Sequence, residues 1–140
     1  MWMLYAGGSA VCAALVSIFA KIGLKEVDPT LATMVRGVVM GVLLVIAGFA
    51  LKKFQTLGTG AIDGKAWLFI FLSAAAGAAS WVLYFTALKL GPAGPVAVID
   101  KMSVVLIIII AAFAFGEALT VRSVAGVLLT IAGAALIIFK

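Results

Sequence analysis

PVAVIDKMSVVLIIIIAAFAF, residues 95–115, decides the fold. Apart from Asp100, Lys101 and Ser103 the run is apolar all round, with no polar stripe for water. A helix that crosses a bilayer needs about 20 mostly apolar residues, and this run supplies them. Before it stands Gly91-Pro92-Ala93-Gly94-Pro95, a tight turn that puts Pro95 in the first turn of the helix. After it stands Gly116-Glu117-Ala118-Leu119-Thr120, with Thr120 placed to cap a following helix.

Four more runs of the same kind lie to either side: 2–23, charge-free until Lys21; 31–51, containing Arg36; 66–88, uncharged; and 123–139, short and uncharged. The fold class is therefore an all-α membrane protein with five transmembrane helices, one domain over residues 1–140. Lys25-Glu26-Val27-Asp28-Pro29 separates the first two helices. The longest connection, Lys52 to Lys65, carries Gly58, Gly60 and Gly64 as breakers. No connection is long enough for a soluble domain. The first run lacks the basic leading segment and the clear cleavage site of a signal peptide, so it is read as retained.

Composition agrees. Of 140 residues, 66% are hydrophobic and 11% charged, against about half and a quarter in soluble domains. Cys12 is the lone cysteine, so no disulfide forms within a chain, and without histidine a metal site is not expected. No cofactor motif is present. The net charge of +5 comes from basic residues scattered between apolar runs, with no dense patch for nucleic acid. No nucleophile–base pair and no glycine-rich phosphate loop after a strand appears, so an enzyme is not expected.

Five spans put the termini on opposite faces. Lys52, Lys53, Lys65 and Arg122 fall on the N-terminal face, and Lys21, Lys25, Lys89 and Lys140 on the other, four against four. Orientation follows a Lys/Arg excess on the cytoplasmic side. This balance leaves open either insertion in both orientations or a weak preference for one. Counting Arg36 and Lys101 with the second face would place that face inside.

Charges inside the spans are the candidate functional residues. A charge near mid-bilayer costs roughly 2.5–3.5 kcal/mol on insertion scales and usually faces a bundle interior or a cavity. Lys21, Arg36, Asp100 and Lys101 all sit near the second face, with Asp100 about 8 Å in from Pro95. Two readings stay open. In one the four form a substrate-binding or gating layer in which Asp100 accepts from Lys21, Arg36 or Lys101. In the other they form a static ion cluster, or the lysines snorkel to the interface. Neighbours on a helix point about 100° apart, so Asp100 and Lys101 are not expected to face one partner. Three cations and one anion sum to +2, which favours a substrate with a carboxylate or phosphate.

Small and polar stripes mark inward faces. The first helix has Ser9, Ala13, Ser17 and Lys21 at steps of four. The third has Ser73, Gly77, Ser80 and Tyr84, with Trp81 beside them, and Ser103 follows Asp100 on the fourth. Trp81 and Tyr84 are the candidate aromatic wall of a cavity; ordinary helix packing also favours small residues. Gly37 and Gly41, and Gly126 and Gly133 with Thr130, read as close-packing faces. Glu117 is expected to fix the last interhelical turn or to pair with Lys52, Lys53 or Arg122.

The stretch Tyr84-Phe85-Thr86-Ala87-Leu88-Lys89-Leu90-Gly91, then Val96 to Lys101, then Phe115-Gly116-Glu117-Ala118-Leu119-Thr120, with Gly126 and Gly133, resembles the EamA domain of the drug/metabolite transporter superfamily. The resemblance covers essentially the whole chain, and Gly-Glu-x-Leu-Thr is its most specific part. It implies half of a ten-helix transporter fold, since typical members look like two five-helix units fused. Asp100-Lys101 departs from the broader family, which usually has uncharged or singly acidic residues there. The small multidrug resistance proteins look related in architecture, but their acidic residue lies in the first helix, where this chain has Lys21.

A unit with an odd helix count reproduces an inverted-repeat plan only by pairing with an inverted copy. The expectation is a secondary transporter of a small metabolite or drug in the inner membrane of a bacterium or archaeon, working as an antiparallel homodimer, with an anionic substrate favoured by the charge sum. The alternative is a non-transporting membrane subunit that docks a partner complex.

Overall fold

The structure, a computed structural model, describes residues 1–57, 62–116 and 118–139. Gly58, Gly60, Glu117 and Lys140 lie outside the described residues. Those described form helices α1 (Trp2–Gly23), α2 (Pro29–Ala50), α3 (Phe54–Leu57), α4 (Gly64–Leu90), α5 (Ala93–Lys101), α6 (Ser103–Phe115) and α7 (Val121–Ile138), with no strand among them. Taking α5 and α6 as one span, five helices are long and apolar enough to cross a membrane. The shortest has 18 residues, about 27 Å of rise, and the longest 27, about 40 Å.

Local chemistry sets the helix ends. Asp28 caps α2 by accepting from the Leu31 N–H at 3.0 Å, and Pro29 follows at the first helical position, where no N–H is needed. Thr120 caps α7 as its sequence position predicts, accepting from the Ser123 N–H at 3.1 Å. Asp63 accepts from the Ala66 N–H at 2.7 Å. That cap explains why α4 starts at Gly64, which the sequence reading takes as a breaker. Gly116 ends α6 at φ +67°, a conformation that strains any residue with a Cβ. Past α2 the chain folds back so that Phe54 stacks on Phe49 with centroids 4.4 Å apart. A Cβ on Gly48 would meet the Phe54 ring at 2.6 Å, so a larger residue there would push that ring aside.

One difference from the sequence reading concerns the deciding run. It is not one unbroken helix. At Met102 the N–H donates to the Ile99 carbonyl at 3.0 Å, and the Val105 N–H donates to the Met102 carbonyl, also at 3.0 Å. These are i→i−3 bonds, a tightened turn of the sort that marks a hinge or local strain within a helix. It immediately follows Asp100 and Lys101.

The described chain divides into two compact units, one of Met1–Lys21 with Leu90–Lys140 and one of Ile22–Lys89. In the first, α5 packs on α7, and the Lys21 ammonium donates to the Gly91 carbonyl at 2.7 Å, tying the end of α1 to the turn before α5. Ala134 is its buried apolar residue. In the second, Leu24, Pro29, Phe85 and Leu88 are buried. There the Lys89 ammonium donates to the Val27 carbonyl at 2.8 Å, holding the end of α4 to the turn before α2. Most large apolar side chains along the spans are exposed. In water that surface would be untenable; in a bilayer, lipid tails cover it at no penalty. The protein is a multi-pass membrane protein.

Candidate functional site

Arg36 and Trp81 meet in the Ile22–Lys89 unit. α2 presents Arg36 and α4 presents Trp81 and, one turn on, Phe85. The Arg36 guanidinium carbon lies 3.1 Å from the Trp81 ring centroid and 5.3 Å from that of Phe85. The two rings are themselves roughly parallel, 6.2 Å apart at 28°. Tyr84 tilts against Phe85 at 6.3 Å and 48°. A desolvated cation over an aromatic face gains about 2 kcal/mol, which offsets much of the roughly 2.5–3.5 kcal/mol that insertion of an arginine costs. It does not satisfy the guanidinium edge. Arg36 Nη1 is buried with no hydrogen-bond partner.

Trp81 is also a wall of an open groove of about 490 Å³ between α2 and α4, with Thr33, Gly37, Met40, Gly77 and Val82 among the other lining residues. The Thr33 hydroxyl donates to the Pro29 carbonyl at 2.7 Å. The rest of the wall is glycine, alanine, methionine, valine and the indole. Gly37, expected to be a helix-packing residue, lines this groove, and nothing within 4 Å meets a Cβ built on it, on Gly41 or on Gly77.

A second cavity of about 370 Å³ belongs to the other unit. Ser9, Ala13 and Ser17 of α1 line it together with Ala97 and Lys101. Here the stripe at steps of four is brought to a common wall as its spacing predicts. Ser17 Oγ donates to the Ala13 carbonyl at 3.0 Å. Lys101 Nζ lies 3.2 Å from Asp100 Oδ2, with the side chains 62% and 34% exposed. Lys101 is one of the three donors that the sequence reading offers Asp100, and its four-carbon stem bends back to reach it. An ion pair this accessible contributes at most about 1 kcal/mol.

In the first unit Lys21 donates to a carbonyl and Asp100 pairs with Lys101; in the second, Arg36 stacks on an indole. Ser103, exposed at the start of α6, lines neither cavity. Phe85 was not singled out from the sequence, although its spacing of four from Trp81 puts both on one helix face. No group of histidine, cysteine, aspartate or glutamate that could hold a metal occurs among the described residues. Among the described residues, nothing lies within 4 Å of a Cβ built on Gly126 or Gly133.

Comparison with known proteins follows the same lines. No solved structure matches the chain. A curated protein of Sinorhizobium sp, described as an uncharacterized transporter in the cobO 3'region, is 41% identical over 136 residues, covering 97% of this chain and 95% of the relative. The model of the EamA-like transporter family matches residues 1–139. With five spans, the Gly116–Thr120 turn and near end-to-end agreement with that family, the chain belongs to the EamA-like transporter family.

Proposed function

We propose that the protein is a secondary transporter of a small metabolite or drug, working by alternating access as an antiparallel homodimer in the cell membrane of a bacterium or archaeon. The observation that carries this reading is the match to a transporter family over an odd number of spans. The relative named as a transporter is itself the length of one such unit. A five-span unit builds an inverted repeat only with an inverted copy of itself. Two further features support it. Each cavity is a groove walled by two helices of its own unit, which leaves a side for further protein to close over a substrate. On α7, a Cβ built at Gly126 or Gly133 meets nothing within 4 Å among the described residues, which leaves room for a close helix approach there.

Counterflow exchange in proteoliposomes tests the reading, using metabolites and drugs first chosen by a thermal-shift screen. Saturable exchange is expected. Its absence for every ligand that stabilises the protein, together with stoichiometric co-purification of another membrane complex, would mean a docking subunit instead. The antiparallel arrangement has its own test. A C-terminal reporter should be found on both sides of the membrane, and two or three lysines added to the connection between Lys52 and Lys65 should drive it to one side. A reporter confined to one side in the native sequence contradicts the antiparallel homodimer.

A further inference from the structure

The geometry around Arg36 points to a substrate class: a small organic anion whose carboxylate meets the guanidinium and whose apolar or aromatic body lies in the groove walled by Trp81. The inference rests on the transport reading for its purpose, but its own basis is separate. Arg36 has no counter-ion among the described residues, and Nη1 lacks any acceptor. Stacking on Trp81 at 3.1 Å holds the guanidinium plane still without using its N–H groups. Nη1 is therefore left unpartnered on the guanidinium edge, the edge by which paired N–H groups bind a carboxylate. An arginine used only to hold α2 against α4 would be expected to donate to a carbonyl, as Lys21 and Lys89 do at 2.7 and 2.8 Å.

The groove defines the rest of the ligand. Its volume of about 490 Å³ falls in the range of small-molecule sites. Its hydroxyl, on Thr33, has already given its proton to Pro29. A polar body would be left without donors apart from the indole N–H, whereas a phenyl or alkyl body packs against Met40, Val82 and the two glycines. Those glycines leave the floor open, with nothing within 4 Å of where either Cβ would stand. Trp81 belongs to both halves of the site, so one residue couples recognition of the charge to recognition of the body.

Isothermal titration of the purified protein in zwitterionic nanodiscs with 3-phenylpropionate, 3-phenylpropylamine and acetate tests the assignment. The acid is expected to bind saturably, and the amine and acetate at least about tenfold more weakly, as loss of a charge-assisted hydrogen bond or of the body requires. Arg36→Gln should weaken the acid by a similar factor, and Arg36→Lys, which keeps the charge without the planar stack, by less. Gly77→Phe, which fills the groove where there is room, should also abolish binding, and it keeps the test decisive if Arg36→Gln does not fold. The assignment is overturned if the amine binds as well as the acid, or if folded Arg36→Gln and Gly77→Phe both bind normally. It is equally overturned if the acid never binds while native protein, and not Arg36→Gln, retains phosphatidylglycerol, since the occupant is then a lipid phosphate. Acid binding without exchange would remove the transport reading and keep the ligand class; exchange of a cation without acid binding would do the reverse.

Discussion

Arg36 and Asp100 each lie seven residues beyond the first residue of their helix, about 10 Å of rise, yet the two are held in opposite ways. Arg36 is stacked on an indole, buried at Nη1 and without an acceptor there. Asp100 has its partner on the next residue, is partly exposed, and stands immediately before the tightened turn at Met102. The difference teaches what each region is suited to. The Ile22–Lys89 unit fixes a cation and leaves its donors unused, which suits recognition. The other unit holds a pair that water or a ligand can reach beside a serine-lined cavity, which suits opening and closing. A pair worth under about 1 kcal/mol can be broken within a transport cycle; a half-buried guanidinium stacked on an indole is not moved so readily.

The glycines give the sharpest way to break the contrast. Replacing both Gly126 and Gly133 with leucine should weaken the dimer at least about tenfold, or roughly 1.4 kcal/mol, because small faces let helices approach closely in lipid. Gly77→Phe should leave the dimer unchanged. Sedimentation in mild detergent measures both. An unchanged dimer in the double variant would show that α7 is not the dimer face.

The next effect is smaller and has a distinctive sign. Arg36→Met removes a buried unsatisfied donor, worth about 1–3 kcal/mol, and loses a cation–π contact worth about 0.5–2 kcal/mol. Stability to denaturant should therefore hold steady or rise by up to about 1 kcal/mol while ligand binding is lost. A fall of more than about 2 kcal/mol would make Arg36 a structural clamp, and the two units would differ only in exposure.

Asp100→Asn should change stability least, by under about 1 kcal/mol, since the pair it breaks is accessible. A larger loss in the same denaturant titration would mean that the pair is far more buried in the working assembly than in the single chain, and that the contrast with Arg36 disappears.

Much of this was legible in the sequence, for reasons that differ by residue. The five spans follow from length and apolarity alone, because lipid admits no other open structure. Thr120 and Pro95 carried their own local signals. Asp63 was hidden at the end of a glycine-rich connection that has several possible starts for α4. The turn at Met102 was not legible, because neither glycine nor proline stands there to announce it. Lys21, Arg36, Asp100 and Lys101 stood out as charges in apolar runs, but their partners did not. Which face of α2 meets which face of α4 is a matter of packing register, and no spacing within either helix records it. Arg36 was one of three candidate donors to Asp100, and the aromatic face it meets on α4 could not be read from its spacing on α2. The stripe on α1 was readable because both its spacing and its cavity wall lie on one helix.

The measurement that bears most directly on the central claim is exchange in proteoliposomes, normalised to folded dimer, for Arg36→Gln, Asp100→Asn and Lys101→Met beside the native chain. The account predicts that Arg36→Gln falls at least about tenfold, the effect of losing one charge-assisted hydrogen bond, and that Asp100→Asn and Lys101→Met, which break the same accessible pair, each fall by a smaller factor. Native exchange rates in all three folded variants would show that neither unit's charges take part in transport.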